Sequence, residues 1–224
     1  MRCGTFLHGI LLVCFGLFLA VAGMAINGQA ASPLGSSVTP TADMETGLQV
    51  AAKAKQALFV TFPFFAERAY SETRGILENK GVKVLVASSS VEPLPGYEKK
   101  LTVKPDILLS QVRTEEYDAI VFIFAARYEG DNADAIRIAK EGAAQGKVLA
   151  SYSTGISTLM KADLLNGKRV AYGTGEFSSF LQKAGATCIN EPLVQDGRII
   201  TAKHYSEPQP FAEAIVVALT AGAN

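Results

Sequence analysis

The 224-residue chain has no tryptophan, two histidines, three cysteines and no net charge, with 21 basic side chains against 21 acidic ones. The zero balance excludes a nucleic-acid partner, because a surface that holds a polyanion carries a basic excess. Beyond the N-terminal apolar run, the rare residues reduce to His204 and Cys188. One histidine and one cysteine at that distance offer no metal-ligand spacing, so no metal site is expected. No cofactor motif is present either. The glycines of "AYGTGEF" (171–177) lack the G-x-G-x-x-G pattern and follow a late strand, so they read as a tight turn before a helix. Cys188 has no intrachain disulfide partner once the N-terminal cysteines are removed, and it reads as a small, buried apolar residue.

What the chain does have begins at its N-terminus. Arg2 precedes a run without charge from Phe6 to Ile26, and Gly28-Gln29-Ala30 supplies small residues at the exit. That order is expected of a secretory signal over residues 1–30. The run is also long enough to span a bilayer, so an uncleaved anchor is the alternative, and the only membrane contact expected. Residues 31–50 are rich in Ser, Pro, Thr and Gly and read as a linker. Residues 51–224 suit one folded domain. The expected location is therefore periplasmic or extracellular.

Within that domain, apolar runs alternate with helical spacings. "ALFVTF" (57–62), "VKVLVAS" (82–88), "YDAIVFIFAA" (117–126) and "KVLAS" (147–151) read as strands. "ERAYSETRGILENKG" and "NADAIRIAKEGAAQG" read as helices closed by glycine. A short helix is expected in "ILLSQV" after Pro105, a strand in "KRVAY", a helix in "EFSSFLQKAG", and a hairpin in "PLVQDGRIITA" turning at Asp196-Gly197. A C-terminal helix follows Pro208. This alternation predicts an α/β, flavodoxin-like three-layer sandwich with a mostly parallel central sheet. Ligands in such folds bind beyond the carboxyl ends of the strands. The segments after Thr61 and Phe124 and the bend at Ser153 should meet there.

Three blocks, "EEYDAIVF", the bend with "TLMKADLLNGKRVA", and "AGATCINEPLVQDGRIITA", carry a resemblance over Ala57 to Leu219. The chain resembles the ThiJ/PfpI family of the class I glutamine amidotransferase-like superfamily. The resemblance implies the same fold and a homodimer. It also implies a nucleophilic cysteine at the bend, and that position holds Ser153. The family's helix-borne glutamate falls on Ala69, and its Pro-Gly-Gly backbone donors fall on Ala125-Ala126 or Phe124-Ala125. Three parts of the family's site have therefore changed.

A thiol can be pulled down to a thiolate, whereas a serine hydroxyl needs a base within hydrogen-bond reach. The one base available is His204. "Ser151-Tyr152-Ser153-Thr154-Gly155" approaches the G-x-S-x-G nucleophile elbow. Either Glu67 or Glu207 could orient the imidazole. Tyr152, Thr154, Glu67, Ala125, Ala126 and Arg127 are expected to line the pocket, with Tyr128 and Glu129 beside them. The expected function is non-catalytic: binding of a small molecule or a protein partner, or assembly. The alternative is a serine-dependent hydrolase using Ser153 with His204.

Overall fold

The apolar runs become strands because each is covered on both faces. The computed structural model describes residues 53–125, 131–173 and 175–222. The expected signal and linker, with Ala126, Arg127, Tyr128 and Glu129, lie outside the described residues. In chain order the elements are β1 (Gln56–Val60), α1 (Glu67–Asn79), β2 (Lys83–Ser88), β3 (Leu94–Pro95), β4 (Thr102–Val103), β5 (Ile107–Leu108) and β6 (Ala119–Ile123). They continue with α2 (Ala133–Ala144), β7 (Val148–Tyr152), α3 (Ile156–Lys161), β8 (Arg169–Ala171), α4 (Glu176–Lys183), β9 (Thr187–Ile189), β10 (Leu193–Asp196), β11 (Ile199–Ala202) and α5 (Pro208–Thr220).

Seven strands form one sheet in the order β10-β11-β7-β6-β1-β2-β5. Every neighbouring pair is parallel except the β10–β11 hairpin. Successive side chains of a strand point to opposite faces, so β1 divides its residues between two cores. Ala57 and Phe59 join Tyr70 and Leu77 of α1 with Phe211 and Ile215 of α5. Leu58 and Val60 join Ile138 of α2, Leu159 of α3 and Leu181 of α4. β6 and β7 divide in the same way, with Ile120 beside Leu149 on the second face. This two-sided burial explains apolar runs that do not alternate.

Two expectations are corrected. "ILLSQV" is not a helix: Ile107 and Leu108 pair with the edge of β2, and a single 3-10 turn, Leu109–Gln111, follows. Asp106 causes this. Its carboxylate accepts from Val86 N at 2.8 Å while its own amide donates to Val86 O, which lays the segment along the strand. The "KRVAY" strand does form as β8, yet it pairs only with β9, outside the main sheet. The hairpin turns one residue later than expected, at Gly197-Arg198, since Asp196 pairs with Ile199.

Candidate functional site

The carboxyl ends of β1, β6, β7 and β11 point the same way, and the loops that leave them converge. Thr61, just past β1, donates its hydroxyl to Ile123 O of β6 at 2.8 Å. After Tyr152 the chain bends, and Ser153 takes φ 56, a left-handed conformation that costs a non-glycine residue of order 1 kcal/mol. Its neighbours hold it there. Gly155 lies against β6 so closely that a Cβ would stand 2.4 Å from Phe122 O. Thr154 donates its hydroxyl to Ala125 O at 2.7 Å, and Ser157 donates to Thr154 O at 2.6 Å. The resulting elbow presents a Ser153 that is 6% exposed.

The loop after β11 brings in the base. Lys203 N donates to Pro192 O, and Ser206 donates its hydroxyl to the same carbonyl. Tyr152 donates its hydroxyl to Ser206 O at 2.7 Å, and burial pushes its pKa up to about 12, so it remains a donor. The loop therefore carries His204 over the elbow, with Ser153 Oγ and His204 Nδ1 sharing a hydrogen bond of 3.1 Å. When the hydroxyl donates, the imidazole proton sits on Nε2. Partial burial holds the His204 pKa below its ordinary value of 6.5. Tyr205 follows with φ 63 and packs its ring 3.7 Å from the His204 ring, centroid to centroid.

Neither expected carboxylate orients this imidazole. Glu207 is paired with Arg68, which also holds Glu72 at 2.7 Å. Glu67 turns away to a short hairpin, β3–β4, that arches over the β1–α1 loop. One Glu67 oxygen accepts from Lys100 N at 3.0 Å and Leu101 N at 3.2 Å. Gly96 packs against that carboxylate so tightly that any Cβ there would meet it at 2.1 Å. Phe65 O accepts from Tyr97 N, and Phe64 N donates to Pro95 O, which completes the attachment.

The hairpin, the start of α1 and the His204 loop enclose a cavity of about 340 Å³. Its lining includes the expected Glu67, Ala125 and Tyr152, and also Ala69. A second cavity of about 160 Å³ is lined by Ser153, Thr154, Tyr172 and His204, so His204 lines both. Sequence reasoning missed Tyr97, Tyr172 and Tyr205 as lining residues. No pattern marks Tyr97, although its place in the turn-rich "VEPLPGYEKK" between two strands was a usable signal. The expected Ala126 and Arg127 lie outside the described residues. Cys188 lies on β9, half-buried, and burial pushes its thiol pKa up. Among the described residues no group of three or more His, Cys, Asp or Glu is placed to hold a metal. Nor is any described helix long and apolar enough to cross a membrane.

Residues 55–218 match the model of the DJ-1/PfpI family. The chain is 29% identical over 171 residues to an uncharacterized protein of Methanocaldococcus jannaschii, covering 74% of this chain and 82% of that one. It is 30% identical over 129 residues to a deglycase of Pyrococcus abyssi, covering 57% of this chain and 76% of the relative. Among solved structures it is similar to a ThiJ/PfpI domain protein from Brachyspira murdochii. The TM-score is 0.71 at 25% identity, over 76% of this chain and 99% of that one.

Proposed function

The chain belongs to the DJ-1/PfpI family, and from that premise we propose that its domain binds a small molecule at the elbow without cysteine chemistry. One observation carries the reading: the elbow side chain is a hydroxyl whose partner, His204, has no carboxylate bonded to it among the described residues. Glu67 is committed to two backbone amides and Glu207 to Arg68. A catalytic imidazole that takes a serine proton becomes a cation, and a carboxylate behind it stabilises that cation. Here burial favours the neutral ring. The deglycase activity named for the Pyrococcus abyssi relative is not carried over, because the family's cysteine position is Ser153.

A nitrogen-15 NMR titration of the His204 side chain tests this. The reading expects a neutral imidazole at pH 7, protonated on Nε2 and titrating below 6.5. A ring titrating above neutrality, as one backed by a carboxylate does, contradicts it.

A second reading, serine-dependent acyl transfer, is favoured by the 3.1 Å contact between Ser153 Oγ and His204 Nδ1. In it the imidazole takes the hydroxyl proton as the oxygen attacks an acyl carbon, then gives that proton to the leaving group as its bond to the carbon breaks and the acyl group stays on Ser153. Export and homodimer formation belong to the proposal as well. N-terminal sequencing should find the mature chain starting near Ala31 or Ser32 outside the cytoplasm, with a dimer's mass in sedimentation. Intact Met1 in the cytoplasmic fraction contradicts export.

A further inference from the structure

The larger cavity has a chemical character of its own. Ala66, Ala69 and Ala125 line it with Tyr97, Tyr152 and Tyr205, and the charged Glu67, Arg68 and Glu98 stand among them. Tyr97 is 54% exposed and Tyr205 86% exposed, and both line this one cavity. Two large rings left open at the mouth of a cavity mark a contact surface for another apolar body.

The described charged groups around the cavity are already paired. Arg68 lies between Glu72 and Glu207, Glu98 pairs with Lys100 at 2.7 Å, and Glu67 accepts two backbone amides. Among the described residues four carboxylates stand against two cations there, so an incoming anion meets net repulsion from them. An incoming cation meets only carboxylates that are already engaged. Displacing Arg68 or the Lys100 and Leu101 amides would leave those groups unpaired, which is costly. The neutral His204 adds no charge. Tyr152 has spent its hydroxyl on Ser206 O. With Nδ1 turned to Ser153, the polar atom His204 leaves over is Nε2, which donates in that tautomer.

We propose that this cavity takes an uncharged, ring-bearing molecule that stacks between Tyr97 and Tyr205 and presents one acceptor oxygen to His204. The inference rests on the small-molecule reading of the site and gives it a ligand class. The volume, near the lower end for ligand pockets at about 300 Å³, suits one or two rings rather than a peptide.

The test uses three probes of one shape: benzamide (neutral), benzoate (anion) and benzamidine (cation). Each is titrated to millimolar concentration into nitrogen-15-labelled protein, and the amides of 66–69, 97–98 and 204–206 are followed. Benzamide should shift these amides, with each of the two ions binding weaker by about tenfold or more. Tyr97→Ala, an exposed position that leaves the core intact, should weaken benzamide by about five- to tenfold through loss of the ring contact. Benzoate or benzamidine binding as tightly as benzamide overturns the ligand class while leaving a small-molecule site standing. Benzamide shifts that stay unchanged in Tyr97→Ala, or no shift with any probe, also overturn it. Failure of the underlying non-catalytic reading has a different signature, an imidazole titrating above neutrality.

Discussion

Replacing Glu67 should loosen one wall of the site before it weakens the domain. The side chain is 8% exposed, and one of its oxygens accepts from two amides of the hairpin. Hydrogen bonds to a charged acceptor contribute about 1.5–3 kcal/mol each, and neutral ones about 0.5–1.5 kcal/mol. Glu67→Gln keeps an acceptor oxygen but loses the charge, so about 2–3 kcal/mol should disappear from the pair. Glu67→Ala removes both bonds and leaves a void beside Gly96, for an expected loss of about 3–6 kcal/mol. The hairpin is short, so part of this loss appears as local opening instead of global unfolding. Amide hydrogen exchange therefore reads it best. A local loss of about 2 kcal/mol speeds exchange at Lys100 and Leu101 by roughly 30-fold, since 1.4 kcal/mol is tenfold. Amides of β6, which touch none of this, should change much less. Exchange at Lys100 and Leu101 within about twofold of wild type in Glu67→Ala would refute the claim that this carboxylate holds the hairpin.

Other perturbations bear on the core and the elbow. Leu149→Ala, in a fully buried strand beside Ile120, should cost about 2–5 kcal/mol in urea denaturation, and an unchanged midpoint would show that β7 is misplaced. Gly155→Ala forces a Cβ against Phe122 O, where only backbone can give way, so a loss of about 1–3 kcal/mol is expected from thermal melts. His204 has a lowered pKa in the folded state, so the unfolded chain binds its proton more readily. Its contribution to stability is then present above pH 6.5 and is lost as pH falls from there through the folded pKa. His204→Ala should flatten that part of the stability–pH curve, and a curve unchanged there would contradict the assignment.

The sheet was legible because its central strands are covered on both sides. Runs such as "IVFIF" are apolar at every position, and the glycines after the helices mark where the chain reverses. The bend at Ser153 was legible for a related reason: small residues at 151, 153 and 155 bracket a point where the chain crosses closely over β6. His204 stood out through rarity. What stayed hidden depends on partners far along the chain. Asp106 converts a helical-looking stretch into an edge strand by bonding to Val86, twenty residues away. β8 looks like a sheet strand, but its partner is the strand that carries Cys188. Glu67 lies in the right region to face an imidazole, yet the amides of Lys100 and Leu101 take it. A carboxylate's choice among acceptable donors follows from packing, and periodicity does not encode it.

The central claim is that the Ser153 hydroxyl is held in place without being activated. Its most direct test is the intact mass of the protein after prolonged exposure to a fluorophosphonate, with peptide mapping of any adduct. A strained elbow alone does not make an alcohol nucleophilic; a base competent to take its proton does. The account predicts no adduct on Ser153 at neutral or mildly alkaline pH. Stoichiometric labelling of Ser153 that disappears in His204→Ala would contradict it and establish the serine-dependent reaction instead.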